Sequence, residues 1–226
     1  MKTIRKIIGR IVLFFFVSTI LSVVIYWWCP VYVTPLMVIR CCQQVARGEM
    51  PRLHHHWVSL DEMSAYMPVA VMASEDQRFL DHHGFDIEEI KKAIDESKRG
   101  KRNRGASTIS QQTAKNVFLW PGHSFVRKGL EAYFTGLIEL IWGKHRIMEV
   151  YLNSIEMGDG IYGVEAVAQA HFGRSSLNLS RPNCALIAAT LPNPLRFSSA
   201  HPSPYMLRRQ TAIMRQMRHI NLFPKD

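Results

Sequence analysis

"SFVRKGLEAYFTGLIELIWGKHRIMEVYL", residues 124–152, carries the pattern that decides the fold class. Phe125, Leu130, Tyr133, Phe134, Leu137, Ile138, Leu140, Ile141 and Trp142 recur at intervals of three and four, the period of an α-helix. The expected helix runs from Ser124 to Trp142 and stops at Gly143, a residue type that ends helices in the left-handed conformation. A second helix is expected over about 144–152. The apolar residues of the Ser124–Trp142 helix cover more than one face, which fits a buried core helix; contact of part of that helix with a membrane surface is the alternative.

Working outward, helical punctuation recurs in both directions. Ser59 and Glu62 have the spacing of a capping box. Pro68 suits the first turn of a helix through "MPVAVMAS" to Glu75. Residues 86–98 place Ile87, Ile90 and Ile94 at helical spacing opposite charged residues. "KRGKRNRG", residues 98–105, has five basic residues, two glycines and no apolar side chain, and reads as a mobile loop. Ser107 is expected to cap a helix through "TISQQTAKNVF", and "IYGVEAVAQAHFG" a helix stopping at Gly173. Ser180 with Pro182 opens one through Leu191, and Ser203-Pro204 opens the last, to about His219. No strong strand signal and no internal repeat is present. The expectation is a mainly α protein of one domain, with irregular connections; a chain of 226 residues with 47% hydrophobic content is long and apolar enough for one sizeable core.

The N-terminus is of another kind. "IVLFFFVSTILSVVIYWW", residues 11–28, contains no charge. Extended back to Ile7, it reaches about 33 Å as a helix, enough for a bilayer core of about 30 Å. Tyr26, Trp27 and Trp28 form an aromatic belt at its far end, while Lys2, Arg5, Lys6 and Arg10 precede it and place the N-terminus in the cytoplasm. The exit "WWCPVYV" lacks the small residues of a signal-peptide cleavage site. The organisation expected is a basic cytoplasmic tail (1–10), a membrane helix (7–28), a juxtamembrane linker (29–56) and a domain outside the cytoplasm (57–226).

Cys29, Cys41, Cys42 and Cys184 match neither a disulfide framework nor a zinc pattern. The net charge is +10, and four of the 28 basic residues but no acid lie in residues 1–28. What remains is 24 basic against 18 acidic residues. A basic domain at a membrane surface has anionic lipid headgroups and phosphorylated lipids as partners. Nucleic acid is the generic partner for such charge, but a domain outside the cytoplasm does not meet it.

Three short segments carry candidate chemistry. "ASEDQRFLDHHGFD", residues 73–86, sets Glu75 beside Asp76 with two histidines following. "GASTISQQTAKN", residues 105–116, offers hydroxyls, amides and a lysine suited to sugar hydroxyl and acetamido groups. "VRKGLEAYFTGLIE", residues 126–139, puts Arg127 and Glu131 four apart with Lys128 beside them; the plain reading is a helix ion pair. Together they supply carboxylates for proton transfer at an anomeric bond, polar sugar contacts and an anion clamp. Two other motifs carry less. "GDGIYG", residues 158–163, matches GxGxxG without the strand that a dinucleotide site needs, and reads as a turn before a helix. His54, His55 and His56 read as a solvated loop, and His82, His83 and Asp86 fit no standard zinc spacing.

These segments, followed by "KHRIMEVYLNSIEMGDGIYGVEAVAQAHFG" at residues 144–173, resemble in order the successive motifs of the peptidoglycan glycosyltransferases, the family that includes the N-terminal module of bifunctional penicillin-binding proteins. The resemblance runs from about Trp57 to "LPNPLRF", ending at Phe197. No S-x-x-K motif occurs and little chain remains for a transpeptidase domain, so the resemblance is to the monofunctional members. It implies a mainly helical, two-lobed, lysozyme-like domain behind one transmembrane helix, polymerising lipid II into glycan strands. The growing strand on undecaprenyl pyrophosphate is the donor and lipid II the acceptor. Glu75 matches the general base on the acceptor 4-hydroxyl, with inversion at the donor anomeric carbon. Glu131 matches the second glutamate, which positions or neutralises the donor pyrophosphate region, either directly or through a divalent cation, Mg or Mn. Ser107, Gln111, Gln112 and Lys115 match substrate contacts, and Lys115, Arg127 and Lys128 a pyrophosphate clamp. Asp76, Phe79, His82, Gly84 and Asp86 match the rest of the first motif, expected to shape the site. Ala106, Asn183 and Cys184 depart from the family pattern. The location implied is a bacterial inner membrane with the catalytic domain periplasmic, and the partners are lipid II, the glycan strand and the membrane, with cell-division and penicillin-binding proteins as further candidates. The competing readings are a lytic glycosidase with the same cleft and a non-catalytic cell-wall scaffold.

Overall fold

The computed structural model describes residues 2–100, 107–122 and 124–224, and within them the chain is mainly α, as expected. Helix α1 (Lys2–Trp28) is long and apolar enough to cross a membrane by length and composition. It is longer than expected, because the basic tail continues the helix. Its apolar side chains are exposed almost throughout, and only Val23 is buried. Residues 29–56 are not a bare linker. Thr34 accepts a hydrogen bond from the Met37 N–H at 3.3 Å and Pro35 fills the first turn, which starts α2 (Pro35–Ala46). Arg40 of α2 binds Glu156 with a fork of 3.0 and 3.2 Å, and Gln44 reaches Asp159 at 3.0 Å, so α2 is tied to the domain.

Helix α3 (Tyr66–Glu75) is the centre of the core. Every residue from Met67 to Ala73 is buried, and burial of each large apolar side chain contributes about 1.5–3 kcal/mol. It packs against α9 (Arg181–Ala188) and α10 (Pro204–Gln216). A second group forms where α5 (Ile109–Phe118) packs on α6 (Phe125–Ile141) and α7 (Gly143–Ser154). Between the groups α4 (Ile87–Lys98) starts at Asp86, whose carboxylate accepts from the Glu88 and Glu89 N–H groups at 3.0 Å. Its isoleucine stripe does not enter the core, since Ile87 and Ile94 are exposed. Of the basic loop over 98–105, Lys98 ends α4 and Arg99 and Gly100 follow; residues 101–106, and with them Ala106, lie outside the described residues. The capping box at Ser59 and Glu62 opens a short 3₁₀ turn.

The long apolar helix is half buried rather than enclosed. In α6 the residues Arg127, Glu131, Phe134, Thr135 and Ile138 face inward, while Phe125, Val126 and Leu140 are exposed. Its inner neighbours include α1. The Thr19 and Tyr133 hydroxyls are 2.9 Å apart and Trp142 Nε1 donates to the Val23 carbonyl at 2.8 Å. Arg146 donates to the carbonyls of Tyr26 at 2.9 Å and Cys29 at 2.6 Å, capping the end of α1 with a cation as the helix dipole favours.

The expectation of no strands needs correction. β1 (His54–His55), β2 (Glu156–Gly158) and β3 (Ile161–Tyr162) form a small sheet in the order β1-β3-β2, parallel between β1 and β3 and antiparallel between β2 and β3. His55 is half-buried, with Nε2 3.0 Å from the Asn153 carbonyl, so the histidine run is not a free loop. "GDGIYG" is the hairpin turn of this sheet leading into α8 (Val164–Phe172), which ends at Gly173. Gly160 sits at φ +72°, where a Cβ would stand 2.5 Å from the Arg52 carbonyl oxygen. The glycine spacing serves close backbone approach rather than a phosphate.

Candidate active site

Glu75 is the last residue of α3, so its side chain leaves the core helix at the mouth of a cleft of about 750 Å³. The cleft is walled by residues 74–78 from one helical group, by Ser107, Thr108 and Gln112 from the other, and by Glu89, Lys92, Pro192, Arg209 and Gln216. Among the described residues, the contacts to the Glu75 carboxylate are all with donors. The Ser74 hydroxyl donates to Oε1 at 2.8 Å, Gln112 Nε2 to Oε2 at 3.3 Å, and Arg209 Nη2 stands 3.6 Å from Oε1. Gln112 is in turn held by the Tyr151 hydroxyl, which donates to Gln112 Oε1 at 3.2 Å. Complete burial, with Glu75 and Asp76 adding to it, raises the Tyr151 phenol well above its ordinary pKa, so it stays a neutral donor.

Asp76 does a different job from its neighbour. Its buried carboxylate accepts from His82 Nε2 at 3.0 and 3.1 Å and from the Ile109 N–H at 3.0 Å. The turn after α3 is thereby fastened to the first residue of α5. The cap of α5 is Thr108, not Ser107. Thr108 Oγ1 accepts from the Gln111 N–H at 3.2 Å and Gln111 Oε1 accepts from the Thr108 N–H at 3.0 Å. Gln111, expected to touch substrate, is therefore buried and occupied in capping, while Ser107 is free to line the cleft. Phe79 is fully buried with its ring edge-on to His82, and Lys144 lies 4.4 Å over it.

Gly84 closes this arrangement. Its φ is +88°, and a Cβ there would meet Thr135 Cγ2 at 2.8 Å and Glu139 Cγ at 3.1 Å, while its carbonyl accepts from Thr108 Oγ1 at 2.6 Å. Gly84→Ala is expected to lower unfolding stability by about 2–4 kcal/mol through left-handed strain and overpacking, read as a fall in the urea midpoint at unchanged slope.

Glu131, Arg127, Lys128 and Lys115 form a second cluster, and none of them lines the Glu75 cleft. Glu131 is buried on α6. Arg127 Nη1 donates to Oε2 at 2.8 Å and Lys128 Nζ to Oε1. Lys115 is half-buried one turn along α5 from Gln112. Burial pushes its pKa down, Glu131 counters that, and Arg127 and Lys128 push it down further. Three cations thus gather around Glu131, with Glu156 acting on Lys115 from further away, and the Arg127 Nε is buried without a partner among the described residues. Uncompensated positive charge with an unfilled donor is what an anion of two or more charges satisfies. The two glutamates do not share one pocket: Glu75 is touched by Gln112 of α5, and Glu131 acts on Lys115 one turn further along the same helix. Glu131 is the carboxylate that the resemblance offers to a divalent cation, and both of its oxygens accept from cationic donors, Arg127 and Lys128.

Arg209 and Ser74 were not legible as site residues. Ser74 adjoins Glu75, but Arg209 comes from α10 and no local pattern marks it.

Comparison with known proteins bears on the family. A transglycosylase family model matches residues 43–218. A Bacteroides thetaiotaomicron protein named biosynthetic peptidoglycan transglycosylase is 60% identical over 223 residues, covering 99% of this chain and 90% of that protein. Proteins of the same name from Bdellovibrio bacteriovorus (53% identical, covering 96% of this chain and 86% of that protein) and Caulobacter vibrioides (48%, covering 94% and 90%) are also similar.

Proposed function

The chain belongs to the transglycosylase family, as a monofunctional peptidoglycan glycosyltransferase with a lysozyme-like domain, and on that premise we propose that it extends glycan strands from lipid II, with Glu75 as the base. The acceptor 4-hydroxyl gives its proton to Glu75 as its oxygen bonds to the donor anomeric carbon. The bond from that carbon to the lipid pyrophosphate breaks on the opposite side, α becomes β, and undecaprenyl pyrophosphate leaves with the electron pair. Attack and departure on opposite faces need a base and an anion holder some distance apart, which is how the two clusters along α5 are spaced. Lys115, Arg127 and Lys128 supply charge-assisted donors to the leaving pyrophosphate, where negative charge develops. Glu131 keeps those cations aimed and partly neutralised, while Ser107 and Gln112 contact the sugars.

The observation that carries this reading is the pairing of a donor-held carboxylate at the end of α3 with a cluster of three cations around Glu131 of α6, the first touched by Gln112 of α5 and the second joined by Lys115 of α5. A hydrolase acting on an existing strand has no need of the second. The apolar helix α1 serves as the anchor, with the N-terminus in the cytoplasm and the cleft on the periplasmic face of the inner membrane, where lipid-linked donor and acceptor are concentrated. The test is incubation of the protein with lipid II on one side and with preformed strands on the other. Lengthening strands with release of undecaprenyl pyrophosphate are expected from the first and no shortening from the second; the reverse pattern would make the protein lytic.

A further inference from the structure

The Glu75 carboxylate is held unevenly, and we infer that Ser74 and Arg209 form a positioning relay that fixes Oε1 and reserves Oε2 for the acceptor proton. The inference rests on Glu75 being the base. A serine hydroxyl has one proton, and Ser74 has two acceptors in reach, Glu75 Oε1 at 2.8 Å and the Ala188 carbonyl at 3.3 Å. Arg209 Nη2 donates to Ser74 Oγ at 3.0 Å. That contact occupies a lone pair on the hydroxyl and polarises it, so the Ser74 proton is directed to the shorter, charged acceptor. The guanidinium stands 3.6 Å from Oε1, beyond a hydrogen bond but within reach of its charge. Oε1 therefore has a strong donor and a nearby cation, whereas among the described residues Oε2 has only the 3.3 Å contact from Gln112.

A base needs one oxygen anchored and the other accessible, because an unanchored carboxylate loses the alignment that makes proton transfer concerted with bond formation. The anchor here is assembled from three elements. Ser74 is one residue before Glu75 on α3, Ala188 ends α9, and Arg209 projects from α10. These helices pack on one another, so the orientation of the base is set by the lobe opposite α5.

The experiment measures initial rates of glycan formation from lipid II by the full-length protein in detergent. Ser74→Ala, Arg209→Ala, the double variant, Arg209→Lys and Glu75→Gln are compared with wild type. Each alanine variant is expected to lower kcat about 10–100-fold with KM for lipid II within about twofold. The double variant should be no slower than the worse single, because either change breaks the same relay. Arg209→Lys should recover part of the loss by restoring a donor to Ser74. Independent, multiplying effects, or a raised KM at unchanged kcat in Arg209→Ala, would overturn the relay and make Arg209 a substrate clamp. Such a result beside an inactive Glu75→Gln overturns the relay alone; an active Glu75→Gln overturns the base as well.

Discussion

Glu75→Gln is expected to abolish strand synthesis, lowering kcat by about 10³ or more, near the upper range for loss of a general base, while leaving the fold intact. The substitution keeps the shape of the side chain. Ser74 can still donate to the amide oxygen, or accept from the amide nitrogen, and Gln112 remains held by Tyr151. What is lost is the ability to take a proton. The ionic contact with Arg209 at 3.6 Å contributes little, since the guanidinium keeps its bond to Ser74 and is partly solvated. The thermal midpoint should therefore move by no more than a few degrees. Undiminished polymer from a purified, folded variant would remove Glu75 from the mechanism.

Glu131→Ala is expected to act on both stability and function. Glu131 is buried between Arg127, itself buried, and Lys128, which is half exposed. Removing the acid leaves the Arg127 charge unpaired in the interior, at a cost of about 3–5 kcal/mol, to which the solvated Lys128 pair adds little. It also removes the group that holds the Lys115 pKa up, so that pKa falls further and Lys115 becomes a weaker cation. Glu131→Ala combined with Arg127→Met should recover much of the lost stability, because apolar replacement of both partners removes the stranded charge. It should not recover synthesis, because the anion holder is still incomplete. Denaturation curves and polymer yields on the same samples check both; full activity in the double variant would confine Glu131 and Arg127 to a structural role.

The fold class and most helix ends were legible because they are local. The helices opened by Ser124, Ser180 and Ser203 start where the sequence places them, with each serine side chain accepting from the third N–H beyond it. Gly173 stops α8 in the left-handed conformation. The cap of α5 lies one residue beyond Ser107, at Thr108, whose spacing to Gln111 is that of a capping box and is visible in the sequence. Thr34-Pro35 likewise announced α2 inside the supposed linker. The sheet was not legible: strands of two or three residues have no period to detect, and β1 pairs with β3 across about a hundred residues. The same holds at the site. Glu75, Gln112, Lys115, Arg127 and Glu131 stand in motifs, but Arg209 meets Ser74 only because α10 packs on α3, a contact 135 residues apart in the chain. Gln111 shows that a residue inside a motif can also hold the backbone, its Oε1 accepting from the Thr108 N–H.

The claim on which the rest depends is that two successive turns of α5 divide the labour, with proton removal beside Gln112 and anion holding beside Lys115. The direct measurement is the affinity of wild type, Glu75→Gln and Lys115→Ala for an unreactive lipid-pyrophosphate donor analogue, with turnover of lipid II recorded in parallel. The account predicts that Glu75→Gln binds the analogue like wild type and makes no strands, while Lys115→Ala binds it at least about tenfold more weakly, the loss of one charge-assisted contact. Donor binding lost in Glu75→Gln, or unchanged in Lys115→Ala, would contradict it.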